Sequence, residues 1–137
     1  MEITITIDDA QVRTMLSQTP QRINWAMRAA MNDATALVMR DMRDDPTQNP
    51  ESDYVRTDNL KNSWTRKISG LGLKITGLVG SNPNTAPYNA LVQDARQQAQ
   101  VHRVRWGDRT VQAVARNRTA DVNRMFADRL RQAIDRP

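Results

Sequence analysis

His102 is the only histidine in this chain of 137 residues, and it stands among other side chains with chemical potential. Gln100 precedes it, Arg103 and Arg105 follow, and Trp106 and Arg109 come next. An imidazole can act as general acid or base near neutral pH, and neighbouring guanidinium groups can hold a phosphate or a carboxylate. A small nuclease is therefore the first chemistry to weigh. That chemistry needs a second acid–base residue, a nucleophile with its own base, or carboxylates gathered for metal ions. The sequence spaces no such set around His102. It has no Cys, no second His and no phosphate-binding loop motif. The reading is that the chain is not an enzyme and uses no cofactor, metal or small molecule. His102 then serves as a surface or interface imidazole.

The unusual residues concentrate in two segments. One is Tyr88-Asn-Ala-Leu-Val-Gln93, continued by Gln100, His102, Trp106 and Thr110-Val111. The other is Arg56-Thr-Asp-Asn-Leu-Lys-Asn-Ser-Trp64. Together they hold two of the three Trp and one of the two Tyr. Residues gathered in this way without an active site point to binding or assembly. Trp64 and Trp106 are expected as core anchors, because a chain with 4% aromatics has few other large rings to pack. Trp25 falls one step off the apolar stripe of its helix, at a flank or an interface. The candidate contact residues are Trp25, Arg56, Tyr88, Gln100, His102, Arg103, Arg105, Trp106 and Arg109.

Charge is distributed unevenly. Residues 1–59 carry 6 basic and 10 acidic side chains, a balance of −4. Residues 60–137 carry 14 basic and 5 acidic, a balance of +9. The isoelectric point is near 10.4. Such asymmetry fits an acidic partner for the basic half, or copies that stack head to tail. Arg103, Arg105, Arg109, Arg116 and Arg118 form the densest basic group, with only Asp108 among them. They suit a docking surface for acidic neighbours, or a face turned to duplex DNA.

Length allows one domain, 1–137, with a real core. No apolar run approaches the roughly 20 residues of a membrane span, so no membrane partner is expected. The first residues lack the basic start and apolar centre of a secretion signal. The absence of Cys fits a reducing compartment.

The elements follow from periodicity. Ile3, Ile5 and Ile7 alternate with Thr4 and Thr6, which predicts a half-buried strand. Val12, Met15 and Leu16 predict a short helix closing near Thr19-Pro20. Ile23, Met27, Ala30, Met31, Ala34, Leu37, Val38 and Met42 recur at three- and four-residue steps, a long helix from Pro20 to about Asp44-Asp45, before Pro46. Thr57 is placed as the cap of a turn over Asp58–Ser63. Trp64–Ser69 and Leu73–Val79 read as a hairpin turning at Gly70 and Gly72, with Gly77 as a bulge. Tyr88–Gln93 reads as a short helix or turn. Asp108 is placed as the cap of a helix over Arg109–Ala115, and Thr119–Asp135 as a last helix carrying Val122, Phe126, Leu130, Ala133 and Ile134 on one face. Residues 45–56 and 94–107 are left as flexible loops or arms. The class is α+β: a small antiparallel sheet of three to four strands packed against two long helices, with extended loops or arms. Open sheet edges invite a neighbouring copy.

On these residues the chain resembles a family. Arg56-Thr57-x-x-Leu60-x-x-Ser63 is similar to the R-T-G-x-L-x-x-S element of a tail-component family of tailed bacteriophages, the small neck, tail-completion or head–tail joining proteins of siphophage type. Val79-Gly80-Ser81-Asn82 followed by Tyr88-Asn-Ala-Leu-Val-Gln93 resembles its V-G-x-N…Y-A-x-x-V element. Gln97, Gln100, His102 and Trp106-x-x-x-Thr110-Val111 resemble the Q…H…W-x-T-V ending of one branch. The similarity runs from the Ile23–Met42 helix to the last helix. Asp58 stands where the family usually has Gly, and Asn89 where Ala is commoner.

The resemblance implies a structural virion protein, assembled in the bacterial host cytoplasm. Its partners would be copies of itself in a ring, six-fold favoured, together with the head–tail connector or adaptor and the tail terminator or tail-tube proteins. Genome DNA would pass the lumen without sequence-specific contact. The alternative reading is a free-standing basic nucleic-acid-binding protein, supported by charge alone; no helix-turn-helix, zinc or base-stacking signature accompanies it.

Overall fold

The computed structural model describes residues 2–6, 10, 20–47, 50–51, 57–71, 74–98, 103, 106 and 107–135. In chain order the elements are β1 (Glu2–Thr6), α1 (Pro20–Arg43), α2 (Asn59–Asn62), β2 (Trp64–Leu71), β3 (Lys74–Ser81), α3 (Asn89–Gln93), α4 (Val111–Asn117) and α5 (Thr119–Asp135). The expected α+β class holds, with an antiparallel sheet and two long helices, α1 and α5. Ile7 and the segment of Val12, Met15 and Leu16 lie outside the described residues, as do Gly72 and Leu73.

The α1 helix is built as its periodicity dictates. Pro20 opens it, where a missing N–H costs nothing. Ile23, Met27, Ala30, Met31, Ala34, Val38 and Met42 are buried to within 1% of full enclosure. Thr35 shares that face and donates its hydroxyl back to the Met31 carbonyl at 2.9 Å, which lets a polar residue sit in the core. The helix stops at Arg43, ahead of Pro46.

The sheet has the order β1-β3-β2, with both neighbouring pairs antiparallel. α1 lies on one face of it, and α5 packs beside α1. One cluster joins the first half of α1 to Ile75, Val122 and Phe126, with Ile68, Met125 and Leu130 at its margin. A second joins Val38 and Met42 to Trp64, Val79 and Val111. Met27, Met31 and Met42 are fully buried, so flexible thioethers do much of the filling that aromatics would do elsewhere.

Several expectations require correction. Gly77 is no bulge: the register runs unbroken through Ile3↔Gly77 and Ile68↔Gly77. Its role is to let α1 approach. A Cβ at Gly77 would stand 2.5 Å from Thr35 Cγ2 and 2.6 Å from Met31 Sδ. β2 extends to Leu71, with Gly70 inside it at φ +90°. Asp58, not Thr57, holds the N-cap position of α2. Thr110, not Asp108, caps α4, where its hydroxyl accepts from Ala113 N at 3.3 Å. The helix therefore begins at Val111. Arg118 separates α4 from α5. Ile134 is 44% exposed, off the buried face of α5 that holds Val122 and Phe126.

Residues 94–98, expected as the start of an arm, fold into a turn against the body. Gln98 is 5% exposed, and its amide donates to the carbonyls of Val92 at 2.6 Å and Gly107 at 2.8 Å. A glutamine that satisfies two backbone acceptors ties the segment down without apolar residues, so hydrophobic periodicity could not reveal it. In the other loop, residues 45–47 carry no helix or strand.

Candidate assembly surfaces

Two regions gather the side chains with functional potential. The first lies where the end of α1 meets the chain from Trp106 to Arg118. Arg109 turns inward here: its Nη2 donates to the Asp41 carbonyl at 3.0 Å, and its guanidinium carbon lies 5.5 Å from the centre of the Trp106 ring. Burial pulls the Arg109 pKa down, while Asp45, Asp44 and Asp41 pull it up. The group stays a cation throughout the neutral range. The backbone N–H of Arg109 donates to the Gln93 carbonyl at 2.8 Å, which fastens the Trp106 loop to α3.

Arg118 binds the same helix end. Its Nη2 donates to Asp41 Oδ1 at 3.2 Å, its Nε donates to Asp41 Oδ2, and its Nη1 donates to Asp121 at 3.1 Å. These hydrogen bonds, Asp41 first, raise the Arg118 pKa further. Farther along, Arg129 grips Asp33 Oδ2 through Nε at 3.0 Å and Nη2 at 2.8 Å. The acidic first half and the basic second half are thus partly neutralised inside the chain. Arg109 and Arg118 belong to that internal framework, whereas Arg116 is exposed. Around Asp41 opens a shallow hollow with Ala36 and Met39 in its lining and Arg40, Arg43, Asp44, Lys61 and Arg118 about them. Both signs of charge line it. Among the described residues no three His, Cys, Asp or Glu side chains gather as a metal site. No helix among them is long and apolar enough to cross a membrane.

The other candidates are dispersed. Trp106 is half-buried, packed under Arg109, and is not a fully enclosed anchor; Trp64 is one, at 8% exposure. Tyr88 is half-buried at the N-cap position of α3, without a side-chain cap bond. Arg103 is exposed and donates to the Gln98 carbonyl at 3.1 Å. Asp94, in the same turn, accepts from Arg96 Nη2 at 2.7 Å; that side-chain bond, aided by the Arg96 backbone N–H, holds its carboxyl well below the usual carboxylate range. Arg56, Gln100, His102 and Arg105 lie outside the described residues.

The second region is the β2 side of the sheet, reached by the exposed stripe of α1 that begins near Trp25. The Trp25 side chain is 62% exposed on α1. One turn later Arg28 reaches over to the Gly70 carbonyl at 3.0 Å, and one turn beyond that Asn32 receives Arg66 Nη1 at 2.6 Å through its Oδ1. The polar stripe of α1 therefore overhangs the outer strand. Sequence reading found Trp25 from its offset in the helical repeat but missed Arg28, Asn32 and Arg66. Their only signal was i, i+4 spacing of two polar residues on a helix that must cross a strand.

The chain matches no family model, and comparison with curated proteins and with solved structures finds no similar chain.

Proposed function

We propose that this chain is a structural subunit of a tailed-phage virion, forming a ring in the neck or at the tail top that completes the tail or joins it to the head connector. The observation that carries the reading is the sheet β1-β3-β2, which among the described residues ends in a strand on both sides. A subunit with two unlike edges at opposite sides of one sheet is suited to heterologous contact, and heterologous contact closes into a ring when the rotation allows. Exposed Arg40, Arg116 and Arg124, together with exposed Asp44, supply complementary charge on the surface of a repeated unit.

One local feature supports the resemblance to the tail-component family. Asp58 occupies the position of the family's motif glycine, and its backbone is left-handed, φ 59° and ψ 7°. Glycine is the residue that adopts this conformation freely, and Asp is among the few others that tolerate it. A left-handed Asp at this position is compatible with the glycine that the family motif carries there. A six-fold ring, connector and tail-terminator or tail-tube neighbours, and genome DNA in the lumen come with this reading, as does a sheet extended by further strands at the joints.

Sedimentation of the full-length chain, alone and with duplex DNA at low and raised salt, separates this reading from the nucleic-acid-binding alternative. A neck subunit should reach masses that are multiples of 15.6 kDa and hold DNA weakly. A monomer whose DNA affinity falls steeply with salt would favour the alternative.

A further inference from the structure

The hydrogen bond from Asn82 N to Ser63 O, 2.8 Å, continues the β2–β3 ladder one pair beyond Trp64↔Ser81. Pairs in an antiparallel ladder alternate between bonded and non-bonded. Ser63 is a bonded position, so Thr65, Lys67, Ser69 and Leu71 bond β3 in turn. Trp64, Arg66, Ile68 and Gly70 must direct their N–H and C=O groups to the free side. The Gly70 carbonyl is found there, capped by Arg28 at 3.0 Å. Arg66 folds its side chain back onto α1, donating to the Asn32 carbonyl at 2.9 Å. The cap closes one end of the edge and, among the described residues, leaves the five residues Trp64–Ile68 as an open main-chain template.

We propose that this template receives β1 of a second copy of the chain, so that one sheet continues from subunit to subunit. The proposal rests on the ring reading and names its joint. β1 is also five residues long, Glu2–Thr6. Its register against β3 puts Ile3 and Ile5 opposite Gly77 and Ile75, on the face that α1 covers. Glu2, Thr4 and Thr6 stand opposite Leu78, Thr76 and Lys74, at the alternate positions of the ladder. β2 divides in the same way: Trp64 is buried and Ile68 half-buried beneath α1, while Thr65, Lys67 and Ser69 are exposed.

A β1 strand laid beside Trp64–Ile68 would extend the apolar layer with two isoleucines and bring a carboxylate to the face of Lys67. β1 and β2 are each antiparallel to β3, hence parallel to one another. A cyclic repeat therefore makes the new pair parallel. A lysine on an open edge discourages pairing with arbitrary strands. An acidic strand answers that charge, so Lys67 selects its partner.

The chain has no cysteine, which makes a covalent test clean. Within one chain β1 and β2 are two strand spacings apart, about 9.5 Å. That exceeds the roughly 7 Å that a disulfide can span, so any bond between them links two copies. Three full-length double variants, Thr4→Cys with Thr65→Cys, Lys67→Cys or Ser69→Cys, cover the registers that keep both faces matched. They are oxidised at a concentration where sedimentation shows the oligomer. One of the three should give a ladder of covalent multimers on a non-reducing gel, while each single-cysteine parent stops at the dimer. Oligomers of native circular dichroism that yield no ladder in any of the three would overturn the joint and leave the ring reading standing. A chain that sediments as a monomer at every concentration would overturn both.

Discussion

The Arg118 guanidinium clasps the Asp41 carboxylate across 77 residues of sequence, tying the start of α5 to the end of α1. The Arg129–Asp33 pair makes a second clasp nearer the other end of the two helices. Together they fix how far α5 slides along α1, and the buried Phe126 and Val122 sit between them in sequence. Asp41 side-chain exposure is 20% and that of Arg118 is 36%, so solvent screens the pair only in part. A double-mutant cycle with Asp41→Asn and Arg118→Gln should give a favourable coupling that shrinks at high salt. Strict additivity of the two single variants would show that the clasp contributes nothing.

Gly77 should tolerate no side chain. Its missing Cβ is the space that Thr35 and Met31 occupy. Met31 can swing aside, whereas Thr35 is held by its own bond to the helix backbone. Gly77→Ala is expected to lose about 1–3 kcal/mol in urea unfolding. A neutral result would mean that α1 lifts from β3 at no cost.

Trp64 and Trp106 should separate cleanly. Trp64→Ala removes an enclosed ring and should cost about 3–5 kcal/mol. Trp106 is half-buried and covered by Arg109. Trp106→Ala should cost about half as much, and thermal melts of the two variants side by side check the order.

The Asp94–Arg96 pair predicts an acid-side effect. The folded carboxyl titrates below its ordinary value, because Arg96 bonds its charged form. Its contribution to stability is therefore present above the ordinary carboxylate value of about 3.9 and is lost as pH falls toward the folded pKa. In an NMR titration Arg96→Ala should bring the Asp94 pKa back up toward that ordinary value. An unchanged titration would assign the shift to a group other than Arg96.

The legible part of the fold was the part written in apolar spacing. α1 emerges within two residues of its expected bounds because seven of its core side chains recur on one face. α5 emerges for the same reason, from Val122 and Phe126. The hairpin emerges from β-branched runs beside Gly70. What spacing could not show was polar fastening. Gln98 holds its turn through two backbone carbonyls, and Thr110 outcompetes Asp108 for the cap by a geometry that composition does not encode. Gly77 was misplaced because a glycine at a close helix–strand approach looks, in one dimension, like a glycine at a bulge. In the arginine group, sequence alone gave no means of telling the inward Arg109 and Arg118 from the exposed Arg116. Only their carboxylate partners, far away along the chain, make that distinction.

The ring at the head–tail junction is tested most directly by electron microscopy of particles made without this gene. The neck reading expects filled heads and separate tails that fail to join or to terminate at normal length, with joining restored when the purified full-length chain is added back. Intact, infectious particles of normal tail length from the deletion would contradict it.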